Sequence, residues 1–149
     1  MNVAPPGTEL AVVLEQLVRL IRQLATAGDL STAAASVLAR IGRDGPQRLT
    51  ELAKAEGITQ PGMTQLVTRL ERDGLVRRAA SNDDRRGVLV EATAAGLELV
   101  GRRRAQRAEA LQQLLLRLEP ADQAAIHTAL PALTRLVEAR AEQAEDGRA

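Results

Sequence analysis

Residues 60–72, "QPGMTQLVTRLER", carry the side chains with the clearest capacity for recognition chemistry. At about 100° per residue on a helical wheel, Pro61, Gln65, Thr68 and Arg72 share one side, flanked by Thr64 and Arg69. Met63, Leu66, Val67 and Leu70 form the opposite stripe. Glutamine can pair with adenine, threonine can bond a base edge or touch a thymine methyl, and arginine can bond guanine or phosphate. Gln60 opens the segment, where the free amides of a helix N-terminus attract phosphate. The small residues Gly62 and Thr64 would allow close approach to a groove. The plain alternative is an amphipathic helix with a solvated polar face.

A second constellation is "DDRRG" at residues 83–87, between the strand-like runs "GLVRRA" and "GVLVEA". Arg85 and Arg86 at a loop tip can reach a phosphate backbone or a minor groove, whose negative potential attracts arginine. Acids there would repel DNA unless one of them holds an arginine in place. Asp84 and Arg86 are close enough in sequence for that, and a braced guanidinium loses less entropy on binding. By charge alone, an exposed ion pair in a solvated loop, worth ~0–1 kcal/mol, explains the tip equally well.

Composition removes other chemistries. The 149 residues contain no aromatic residue and no cysteine. Base stacking on aromatic side chains, as in common single-strand and RNA-binding modules, is excluded, as are disulfides and thiol-based metal sites. One histidine, no P-loop and no dinucleotide glycine pattern speak against an enzyme. No cluster has metal spacing and no cofactor is expected. No apolar run approaches the ~20 residues of a membrane span, so a cytoplasmic protein without membrane partners is the default expectation. Net charge is +1, from 20 basic and 19 acidic residues, so nucleic-acid binding must come from local placement of charge.

The elements that must position these residues follow from periodicity and punctuation. Leu10, Val13, Leu14, Leu17, Val18, Ile21 and Leu24 predict a first helix at roughly 8–27. Ser31 caps a second, and Thr50 is the expected cap of a third ending at Gly57. Thr59 caps a fourth, with Pro61 tolerated in its first turn and Gly74 closing it. Two strands at about 75–80 and 87–92 form a hairpin. Thr93 caps a long fifth helix to about 118, and a last helix spans about 121–144 with Pro131 inside it. Short third and fourth helices joined through a glycine, followed by a hairpin, are helix-turn-helix spacing with a wing.

The span "ITQPGMTQLVTRLERDGLVRRAASNDDRRGVLVEATAAG" resembles the MarR family of bacterial transcriptional regulators. The motifs are "LxxRLERDGLVxR" from Leu66 to Arg78, Asp84 with Arg86, Gly87 to Val90, and Thr93 with Gly96. The resemblance implies a mainly α fold, α+β by its wing, with a winged helix-turn-helix at 31–93. Helices at 8–27 and 94–144 would dimerise, the whole of 1–149 making one domain. It implies a recognition helix in the major groove, touching DNA through Gln60, Pro61, Thr64, Gln65, Thr68 and Arg69. The wing would enter the minor groove with Arg86 as contact, Asp84 orienting it and Arg85 auxiliary. The expected partners are a pseudo-palindromic DNA duplex, a second copy of the chain and a small-molecule effector that relieves repression. Ala92 stands where the family usually has leucine, and the absence of aromatics puts an aromatic-stacking effector site in question.

Apolar surface supports the dimer. Helix one is amphipathic throughout, and Ile126, Leu130, Leu133 and Val137 line the last helix; together they exceed what a winged helix alone could cover. For "GRRRAQR" at 101–107 the expectation is solvation. The competing reading of the chain is a helical dimer that binds a ligand or a protein without DNA recognition, motivated by the near-neutral charge.

Overall fold

The computed structural model describes residues 6–24, 30–80 and 88–146. It divides into two compact units, Met1–Ala108 and Glu109–Ala149. In the first unit the order is α1 (Pro6–Gln23), α2 (Thr32–Asp44), β1 (Gln47–Arg48), α3 (Leu49–Glu56), α4 (Gln60–Arg72), β2 (Val76–Ala80), β3 (Val88–Ala92) and most of α5 (Ala94–Leu115). The second unit holds the end of α5 and α6 (Pro120–Asp146).

Local signals set most boundaries. Ser31 is the N-cap of α2, its hydroxyl accepting the Ala34 amide at 3.2 Å. Gly57 ends α3 in the left-handed region, φ 64°, which a residue with a Cβ adopts only at a cost. Helix α3 departs from the expected start. Its N-cap is Arg48, not Thr50, and the Arg48 amide donates to Glu51 Oε2 at 3.1 Å. A glutamate reaching back from the third helical position thus does what a hydroxyl at Thr50 was expected to do.

The sheet also exceeds the expected hairpin. It has three antiparallel strands in the order β1-β3-β2, with Gln47 opposite Val90 and Val76 opposite Ala92. The two-residue strand β1 ties the start of α3 to the wing. Leu38 and Ile41 of α2, Leu52 of α3, Met63, Val67 and Leu70 of α4, Val76 of β2 and Val90 of β3 form one buried cluster. Each such side chain withdrawn from water contributes about 1.5–3 kcal/mol. That cluster props α4 from behind and holds the base of the wing.

In the second unit α6 runs unbroken through Pro131, and Gln123 Nε2 donates to Leu118 O at 2.9 Å across the turn before it. None of its described residues is buried.

Candidate nucleic-acid interface

Helix α4 begins with Thr59, whose hydroxyl accepts the Gly62 amide at 3.3 Å. Pro61 sits in the first turn, where a missing amide hydrogen removes no helical bond. Met63, Val67 and Leu70 are buried and Leu66 half-buried, which fixes the rotation of the helix about its axis. Gln60, Pro61, Thr64, Gln65, Thr68, Arg69 and Arg72 are consequently all exposed, on one polar face with the half-buried Glu71 at its margin. Gly62 has an internal role. A Cβ there would lie 3.1 Å from both Ile58 Cγ2 and Thr59 Oγ1, so its smallness serves the cap.

The polar face is organised from both ends. Thr64 Oγ1 donates to Gln60 O at 3.0 Å, a back-bond within the helix. From β2, Arg78 Nη1 donates to Glu71 Oε2 at 2.6 Å and Arg78 Nη2 to Thr68 Oγ1 at 3.1 Å. Arg77 is paired with Glu91 across the β2–β3 ladder. Arg78 belongs to the motif that ends "GLVRR", yet nothing in the sequence pointed to its partners, which lie seven and ten residues away beyond a glycine turn. Asp84, Arg85 and Arg86 of the wing tip lie outside the described residues.

At the wing base the Thr93 hydroxyl donates to Gly74 O at 2.6 Å, and the Gly96 amide donates to the same hydroxyl at 3.1 Å. A Cβ on Gly96 would stand 2.1 Å from Leu75 O. The threonine-glycine spacing is therefore the joint that seats the end of β3 and the start of α5 against the turn leaving α4.

The model of the MarR family matches residues 30–88, which contain α2, the β1–α3–α4 segment and β2. Over those residues the chain is similar to the MarR family of transcriptional regulators. The curated relatives that it matches are named as HTH-type transcriptional regulators, not as enzymes. It is 28% identical over 132 residues to the uncharacterized HTH-type transcriptional regulator Mb0904 of Mycobacterium bovis, covering 89% of this chain and 92% of that one. Among solved structures it is similar to the multiple antibiotic resistance repressor MarR, with TM-score 0.74, 26% identity, and coverage of 89% of this chain and 96% of that one. The transcriptional regulator Tm0710 of Thermotoga maritima shares the fold, with TM-score 0.73, 23% identity, and coverage of 89% and 96%. No helix among the described residues is long and apolar enough to cross a membrane.

Away from the α4 face, a cavity of about 660 Å³ opens within the first unit. Arg22, Arg40, Arg43, Arg103, Arg104 and Arg107 line it, and Glu56 is the one acid among its lining residues. Glu56 accepts from Arg40 Nε at 2.8 Å and from Ser36 Oγ at 2.7 Å, which ties the end of α3 to α2. Burial, then the neighbouring Arg107 charge, lowers the Arg103 pKa from its ordinary value. Arg107 Nε is buried with no hydrogen-bond partner among the described residues, a state that costs about 1–3 kcal/mol unless an acceptor arrives. This corrects the expectation of solvation for Arg103 and Arg107, whereas Arg102 and Arg104 are exposed. Arg103 and Arg107 face the cavity because they are one turn apart on the same side of α5 as Val100, and Arg104 lines it beside them.

Proposed function

We propose that this chain is a MarR-family homodimeric, cytoplasmic, DNA-binding repressor whose hold on a pseudo-palindromic operator is relieved by a small molecule. The observation that carries the DNA-binding part is the rotation of α4. Its buried Met63, Val67 and Leu70 leave Gln60, Pro61, Thr64, Gln65, Thr68 and Arg69 together on an outer face with no acid near its centre. An α-helix of that character fits the major groove. Asp84, Arg85 and Arg86 are assigned to the wing contact on the motif alone.

Dimerisation is supported by apolar surface that stays open in each unit. Leu10, Val13, Leu17 and Val18 of α1 are exposed, as are Ile126, Leu130, Leu136 and Val137 of α6. Two-fold pairing would cover such faces and would set two recognition helices about one DNA turn apart. The arginine-lined cavity supports the effector role. Its volume is in the range of small-molecule sites, and with no aromatic residue in the chain it selects by charge rather than by stacking.

Fluorescence anisotropy on the duplex upstream of the chain's own gene tests this reading. Binding is expected to weaken steeply as salt rises, because arginine–phosphate contacts release counterions. Arg86→Ala is expected to lower affinity on all sequences and to reduce the salt slope by about one, and Gln65→Ala to change base preference. No shift on any duplex at low salt, with ligand binding intact, would instead favour the ligand- or protein-binding module. Unchanged binding by Arg86→Ala would remove the wing assignment alone.

A further inference from the structure

The two threonines on the exposed face of α4 are used in opposite senses. Thr64 spends its hydroxyl proton on Gln60 O, as Thr128 does on Ala124 O and Thr134 on Leu130 O. A threonine hydroxyl has one proton and two lone pairs, so Thr64 turns only lone pairs outward. Thr68, one turn later, accepts from Arg78 Nη2 at 3.1 Å, while the other arm of that guanidinium is held by Glu71 at 2.6 Å. An oxygen that takes a guanidinium N–H keeps its own proton for another partner. The adjacent positive charge also draws an acceptor towards that proton and repels a second donor.

We infer that Thr64 and Thr68 form a polarity-coded pair, Thr64 accepting and Thr68 donating, and that Arg78 is the positioning residue that makes Thr68 a donor. In a major groove, Thr68 then selects a keto edge, the O6 of guanine or the O4 of thymine. Thr64 selects an amino edge, the N6 of adenine or the N4 of cytosine. Without Arg78, the Thr68 hydroxyl is free to back-bond within the helix like its neighbour, and its preference is lost although the threonine remains. This rests on the proposal that α4 reads DNA in the major groove.

The test uses the full-length protein and a duplex found by selection from a randomised library. Thr68→Val and Arg78→Met are expected to relax preference at the same base pair, by about three- to ten-fold, the worth of one hydrogen bond. Arg78→Lys, which can still donate to Thr68, is expected to restore it. Thr64→Val is expected to relax a different pair. At the Thr68 position, 2-aminopurine in place of guanine, or a pyrimidine lacking O4 in place of thymine, should weaken the wild type and leave Thr68→Val unaffected. At the Thr64 position, purine in place of adenine, or a pyrimidine lacking N4 in place of cytosine, should do the same for Thr64→Val. Thermal melting separates loss of fold from loss of preference, and Arg78→Lys carries the test if Arg78→Met unfolds. Relaxation by Thr68→Val with Arg78→Lys and Arg78→Met both retaining preference would overturn the role of Arg78. A uniform loss by Thr68→Val on all sequences, or sensitivity to amino rather than acceptor edges, would overturn the polarity code while leaving DNA binding standing. A wild type that selects no sequence at all would remove the underlying reading and this inference with it.

Discussion

Helices α4 and α6 look alike as sequence, each with an apolar stripe and a polar face, and they end in different states. Helix α4 buries Met63, Val67 and Leu70, whereas in α6 Ile126, Leu130 and Val137 remain 40%, 49% and 71% exposed. The difference is one of supply. Around α4, helices α2 and α3 and strands β2 and β3 each contribute a fully buried aliphatic side chain. The described residues of α6 receive no comparable cover within this chain. Periodicity therefore says that a face must be covered, and leaves open what covers it. In α4 the cover comes from the same chain and turns a polar surface outward. In α6 the open stripe is the strongest support for a second copy.

The largest effect that separates the two helices is cavity formation. Leu70→Ala should cost about 2–5 kcal/mol, since its side chain is 1% exposed and its removal leaves a cavity in the buried cluster. Leu130→Ala should cost at most about 1 kcal/mol in a monomer, where half the side chain is already in water. Urea unfolding at two protein concentrations distinguishes the cases. If α6 is covered by a partner, the Leu130→Ala loss grows and the transition midpoint moves with concentration. Equal, concentration-independent losses in both variants would abolish the contrast.

A second contrast lies within α5. Gly96→Ala places a Cβ 2.1 Å from the Leu75 carbonyl, a backbone atom that can yield only by moving the wing base. The expected loss is about 3 kcal/mol, the upper end of the usual range for overpacking. Gly101, with nothing within 4 Å of a Cβ, should accept alanine with a gain of up to about 1 kcal/mol from helix propensity. Thermal melts of the two variants should therefore move in opposite directions.

These joints show where sequence reasoning succeeds. The polar face of α4 was legible because it needs only helical periodicity and the stripe from Met63 to Leu70. The caps at Ser31 and Thr59 were legible because a hydroxyl acts on an amide three residues ahead. Strand β1 was not, since Gln47 and Arg48 carry no β-branched or apolar signal and become a strand only because β3 lies beside them. Nor were the partners of Arg78, or the facing of Arg103 and Arg107 into a cavity. Those contacts depend on how the chain returns after a turn, and identical arginines would be solvated in another fold. The wing tip was read from a motif alone, and it lies outside the described residues.

The cap assignments give a smaller, sharper comparison. Thr59→Ala should cost about 1 kcal/mol, by freeing the Gly62 amide at the start of α4. Thr50→Ala should stay within about 0.5 kcal/mol, because the N-cap of α3 is Arg48 and its amide is satisfied by Glu51. Equal losses at the two threonines in chemical denaturation would restore Thr50 as the cap. Glu51→Ala should then be silent, whereas the observed bond predicts a measurable loss.

The smallest effect is electrostatic and sits at the end of α2. Hydrogen bonds from Arg43 to both Asp44 oxygens, at 2.7 and 2.9 Å, hold the Asp44 carboxyl below its ordinary value, and the same contact raises the Arg43 pKa. A carboxylate whose pKa is depressed on folding adds stability above its unfolded pKa and loses it as pH falls through the folded one. The pair is open to water, with Arg43 60% and Asp44 35% exposed, so screening leaves it a few tenths of a kcal/mol. Asp44→Asn should thus lower stability slightly at neutral pH, with the gap to the wild type closing in acid below the ordinary aspartate range. Added salt should narrow the gap at neutral pH as well. A gap that persisted at low pH would mean that Asp44 acts through its 3.5 Å contact with Gln47 and the approach to β1, not through charge. The surface of the first unit would then do structural work that the buried cluster alone now accounts for.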